Sequence, residues 1–146
     1  MTVTQWLFSF KGRIPRSRFW TWTAIYYASF LASIALLPQS GGFGNLILLI
    51  VGFVLLFPDL AVQAKRWHDL DKSLWWLTLN IPIIADRLLR STLDGTNTQQ
   101  TLQTAISIIA IACGCWLFIQ CGFMKGTKGR NRYGESTLIL ATKRST

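Results

Sequence analysis

The chain has one histidine, His68, inside Lys65-Arg66-Trp67-His68-Asp69. Imidazole titrates near neutral pH, and a carboxylate beside it can fix its tautomer, so His68 and Asp69 form the pair best suited to move a proton. On a helix, however, adjacent residues do not face each other. The simpler assignment is a His and an Asp that cap a helix end or bond to nearby loops. No Ser or Cys nucleophile stands beside a visible base, and no phosphate-cradling Gly-rich loop with a following Lys occurs. The chain is therefore not expected to be an enzyme, and no catalytic residue is assigned. Cys113, Cys115 and Cys121 lie in one apolar run with no Cys-x-x-Cys spacing. With one histidine they suggest neither a metal site nor a disulfide framework, and no cofactor is implied.

Anion binding is the second chemistry on offer. Arg13, Arg16, Arg66, His68, Asp69, Asn131 and Arg132 are expected to form one polar cluster at the cytoplasmic membrane surface. Arg grips phosphate through a bidentate fork, and basic cytoplasmic clusters attract anionic lipid. Lys128 and Arg130 add charge, and Gly126, Gly129 and Gly134 would let backbone N–H groups approach an anion. The alternative is that these charges only set orientation and pair with Asp69, Asp71 and Glu135.

Transport is the third. Asp59 and Asp86 are acids toward opposite membrane faces, and Pro58 and Pro82 interrupt two apolar runs, a pattern found at transporter binding sites. Four spans make a thin wall, so this reading requires a homo-oligomer. On a helix Asp59, Gln63 and Arg66 share one face, which would let Asp59 pair indirectly with Arg66 through Gln63. Otherwise Asp59 sits solvated at headgroup level.

The elements that must position these residues are apolar helices. About half of the 146 residues are hydrophobic and 14% are charged, against about 25% in an average soluble domain. The net charge of +9 would suggest nucleic acid in a soluble protein. Here the basic residues lie between apolar runs and read as topology signals, so no nucleic-acid partner is expected. Four spans are expected within a single domain, 1–146: residues 19–37, 45–62, 74–89 and 105–123, followed by a basic tail, 124–146. The first is long enough to cross a hydrocarbon core of roughly 30 Å. Trp20, Trp22, Tyr26 and Tyr27 suggest an aromatic belt at its mouth. The third is short, with a re-entrant segment as its alternative. Residues 38–44 and Asp94-Gly95 read as turns, residues 65–72 as a charged loop or helix end, and 138–141 as an apolar patch resting on the membrane. Ala28 and Ala32, and Ala110 and Gly114, are small pairs that suit close helix packing or assembly. Residues 1–18 lack the apolar core of a signal peptide.

Four spans put residues 1–18, the 64–73 loop and the tail on one side, with thirteen of the fifteen Lys and Arg. The positive-inside rule makes that side cytoplasmic. A re-entrant third segment would carry the tail's charges outside.

Three motifs punctuate this pattern: Phe10-Lys11-Gly12-Arg13-Ile14-Pro15-Arg16-Ser17-Arg18-Phe19-Trp20; Lys65-Arg66-Trp67-His68-Asp69 with Ser73-Leu74-Trp75-Trp76; and Gly126-Thr127-Lys128-Gly129-Arg130-Asn131-Arg132-Tyr133-Gly134. In that order, with apolar runs between them, they resemble the DUF805 family of bacterial inner-membrane proteins, a domain of unknown function. The resemblance covers essentially the whole chain. It implies a multi-span inner-membrane protein and brings no established activity. Leu74 stands where members often have Gly, and Trp67 where Leu is usual. The expectation is an all-α polytopic membrane protein with both termini cytoplasmic, in contact with lipid, anionic lipid included.

Overall fold

In the computed structural model, residues 3–36, 42–90 and 97–135 are described. Among them five α-helices follow one another: α1 (Val3–Phe8), α2 (Arg16–Leu36), α3 (Gly42–Asp69), α4 (Asn80–Arg90) and α5 (Asn97–Phe123), with a 3₁₀ helix (Leu74–Leu79) leading into α4. No β-strand occurs among the described residues. Helices α2, α3 and α5 are long and apolar enough to cross a membrane. The chain is an all-α polytopic membrane protein.

Its surface explains why. Ile25 and Leu31 on α2, Ile50, Phe53 and Val54 on α3, and Ile108 and Ile111 on α5 all face outward. Water would penalise such faces at about 25 cal/mol per Å², whereas lipid does not. The buried core is small: Ile14, Phe19, Trp22, Tyr26, Val62, Trp67, Leu117 and Cys121. Apart from Tyr26, these residues lie toward the basic end of the bundle.

Helices α2 and α3 each begin three residues before the expected spans, at Arg16 and Gly42, and two boundaries differ by more. Helix α3 continues through Pro58 and through the charged stretch, ending at Asp69 rather than near residue 62. Charge usually ends a span because it seeks water, but here Lys65, Arg66 and Asp69 find protein partners, so the helix stays folded and buried. Helix α5 begins at Asn97, well before residue 105. Its polar first turns carry uncharged Thr and Gln, and Thr101 and Thr104 return their hydroxyls to the carbonyls of Asn97 and Gln100.

The third apolar segment divides in two. Proline has no N–H, so Pro82 cannot bond back to residue 78, and the first turn of an α-helix is where it costs least. Accordingly α4 starts at Asn80, and residues 74–79 wind more tightly. Laid in line at 2.0 and 1.5 Å per residue, the two pieces would reach roughly 28 Å, close to a hydrocarbon core. Asp86, on α4, accepts from Gln103 Nε2 at 2.8 Å and from Ser107 Oγ, which ties α4 to α5. Of the expected turn at 38–44, residues 42–44 instead form the first turn of α3, and the rest of it, Asp94-Gly95 and the patch at 138–141 lie outside the described residues.

Candidate functional site: a buried tie and the basic cleft beside it

Helices leave their last carbonyls without intrahelical partners. At the end of α5 those carbonyls are capped by other helices. Cys121 O accepts from Arg66 Nε at 2.7 Å, Gly122 O from Trp20 Nε1 at 3.2 Å, and Phe123 O from Arg16 at 3.2 Å. Arg66 also reaches Met124 O, one residue past the end. Cations suit this position because the C-terminal end of a helix carries partial negative charge. Helix α1 ends in the same way, with the buried Lys65 ammonium on the carbonyls of Gln5 and Trp6.

The end of α3 is capped by the tail. Thr127 N donates to Asp69 O at 2.8 Å, and Asn131 Nδ2 donates to His68 O at 2.8 Å. The tail can do this because it turns tightly. Asn131 and Gly134 exchange backbone hydrogen bonds, and Gly129 and Gly134 adopt positive φ angles of 81° and 127°, where a side chain would be strained.

Asp69 stands at the centre. Its Oδ1 accepts from Arg13 Nε at 3.0 Å, and its Oδ2 pairs with Arg66. Both arginine side chains are essentially buried. Arg13 spends its remaining donors on Gly129 O at 2.8 Å, Gly134 O at 3.1 Å, Thr127 O at 2.7 Å and Thr127 Oγ1 at 3.0 Å. Its fork is fully occupied by protein.

His68 does not face Asp69. Its Nδ1 lies 3.3 Å from Gly12 O, and its ring stacks on Tyr133 with centroids 3.8 Å apart. Its Nε2 is buried with no hydrogen-bond partner. Arg132 is exposed and pairs with Asp71 at 3.2 Å. The sequence-assigned residues therefore meet at one end of the bundle. Arg13, Arg66, Asp69, His68 and Asn131 form its interior, while Arg16 and Arg132 lie toward the surface. Among the described residues no group of three or more His, Cys, Asp or Glu side chains is placed to hold a metal ion.

A cleft of about 560 Å³ opens beside the tie. Arg16, Lys125 and Lys128 line it, with Trp20 and Phe123 as aromatic walls. Asp69 borders it too, with its carboxylate engaged by the two arginines. Lys125 was not among the sequence-assigned residues, since one lysine in a basic tail carries no distinguishing pattern.

A second polar group was partly anticipated. Asp59 accepts from Trp22 Nε1 at 3.1 Å and from Gln63 Nε2 at 2.8 Å. Gln63 does not link Asp59 to Arg66, because its Oε1 instead accepts from Asn80 Nδ2 at 2.9 Å. Trp22, expected in an interfacial belt, is buried as a donor to this acid.

The family described as "Protein of unknown function (DUF805)" matches residues 7–135. "Uncharacterized protein YiiR" of Escherichia coli (strain K12) is 35% identical over 143 residues, covering 94% of this chain and 91% of that protein. "Inner membrane protein YhaH" of the same strain is 32% identical over 81 residues, covering 51% of this chain and 66% of that protein. No solved structure matches. The matched span takes in all three motifs that build the tie and its caps, and the chain belongs to the DUF805 family of membrane proteins.

Proposed function

We propose that this chain is a multi-pass protein of the bacterial inner membrane whose cytoplasmic-face cleft holds a phosphate-type anion, carried by a lipid headgroup or by a small soluble ligand. The observation that carries the reading is the cleft itself, with three cations at its rim and aromatic walls behind them. Arg13 has no donor to spare, so anion contact falls to Arg16, Lys125 and Lys128. The Arg13–Asp69–Arg66 tie then acts as the frame that sets the cleft's shape. The inner-membrane placement draws on the printed name of the YhaH relative and on the basic side of the topology. No catalytic role is proposed for His68 or Asp69.

Calorimetric titration of the detergent-purified protein tests this. Short-chain phosphatidylglycerol, short-chain phosphatidylcholine and inorganic phosphate are the probes. Tight binding of phosphatidylglycerol alone supports a lipid headgroup, and comparable binding of phosphate supports a soluble anion. Equal affinity for both lipids, with none for phosphate, contradicts the reading. A second reading, a purely structural role in membrane assembly, is favoured by the helix caps, and it predicts no preference among the three probes.

A further inference from the structure

A second cavity lies among α2, α3, α4 and α5. Its volume is about 130 Å³, the room of about four water molecules at roughly 30 Å³ each. Tyr26, on its wall, is ten residues past the start of α2, hence roughly 15 Å from the basic end and near mid-membrane. Polar groups at that depth are costly and mark functional sites by default.

Two opposite charges line this cavity, Asp59 and Arg87. Arg87 lies within electrostatic reach of Asp59, yet among the described residues no ion pair joins them. Each is instead held by neutral partners. Asn80 donates to both Leu77 O and Gln63 Oε1, which leaves the Gln63 amide aimed at Asp59, while Trp22 donates from the other side. These donors fix the orientation of the Asp59 carboxyl group. Arg87 donates to the Tyr26 hydroxyl at 2.6 Å and sits over the Tyr26 and Phe30 rings. The result is a small cavity with a carboxyl group held on one wall and a guanidinium held on another.

We propose that this chamber is a membrane-embedded binding site for a small zwitterion, with the guest's cationic end at Asp59 and its anionic end at Arg87. A lone cation would meet Arg87 and a lone anion would meet Asp59, so each is disfavoured by the charge it does not need. A guest carrying both ends satisfies both walls. The site is independent of the cytoplasmic cleft and shares neither its cations nor its ligand.

The test is equilibrium dialysis of the full chain in nanodiscs. Radiolabelled glycine, β-alanine and γ-aminobutyrate, which differ in charge separation, are the guests. Acetate and methylamine are the single-charge controls. At least one zwitterion should bind saturably and at least tenfold tighter than either control. Asp59→Asn and Arg87→Gln should each weaken that binding tenfold or more. Gly114→Leu should block it without touching either charge: Gly114 lines the chamber, and the nearest atom to an added Cβ is Ile83 Cδ1 at 3.8 Å. Size-exclusion profiles verify that each variant is folded. No saturable binding of any zwitterion to the wild type overturns the proposal, as does equal binding of acetate or methylamine. Loss of lipid binding at the cleft leaves these outcomes unchanged, so the two sites fail separately.

Discussion

Arg13 and Asp69 are 56 residues apart in sequence, and their side chains meet at 3.0 Å with almost no exposure to solvent. Arg66 holds the other carboxylate oxygen. Removing one member of a buried charge group leaves the rest uncompensated. Asp69→Ala should therefore cost about 3–5 kcal/mol. Arg132→Ala, which removes an exposed pair with Asp71, should cost under about 1 kcal/mol. Thermal unfolding in detergent compares the two, and equal losses would mean that the tie does not hold the fold.

Gly126 has a steric reason to be glycine. An added Cβ would lie 1.9 Å from Asp69 Oδ2, far inside contact distance. Gly126→Ala should destabilise by about 1–3 kcal/mol through overpacking. Gly52→Ala is the control, since nothing lies within 4 Å of its added Cβ. Its unfolding midpoint should stay at or slightly above that of the wild type.

Trp22 gives Asp59 one of its two hydrogen bonds. Trp22→Phe keeps an aromatic ring but removes the donor. The partly stranded carboxylate should cost about 1–3 kcal/mol. Trp75, which is exposed at 77%, should tolerate the same change with little loss in the same melts.

The topology makes its own prediction. A reporter active only in the periplasm should work when fused after Thr98, at the start of α5. A reporter fluorescent only in the cytoplasm should work when fused after Glu135. A cytoplasmic Thr98 would mean that the Leu74–Arg90 segment does not cross, and the tail could then meet α3 only if α5 also failed to cross.

The apolar runs made the helical membrane fold legible, and the motif order made the family legible. The meeting of Arg13, Arg66, Asp69 and Asn131 at one end could be expected from topology, since alternate loops share a side. Their partners could not. Arg66 on Cys121 O and Lys65 on Gln5 O are bonds from side chain to backbone, and any residue supplies a carbonyl, so no pattern marks the acceptor. The length of α3 was missed for the same reason, because burial of Lys65 and Arg66 depends on those caps. Gln63 offered Asp59 a route to Arg66 by helical spacing, but Asn80, seventeen residues on, takes its oxygen. Spacing along one helix cannot show which neighbouring helix competes.

The most direct test of the account separates frame from cleft. Native mass spectrometry of protein released from mixed phosphatidylglycerol and phosphatidylethanolamine nanodiscs would compare wild type with the triple variant Arg16→Gln, Lys125→Gln, Lys128→Gln. The account predicts that the variant loses retained phosphatidylglycerol while its unfolding midpoint falls only slightly, because the Arg13–Asp69–Arg66 tie remains intact. Retention of phosphatidylglycerol equal to that of the wild type, together with an unchanged affinity for inorganic phosphate, would contradict an anion site in the cleft.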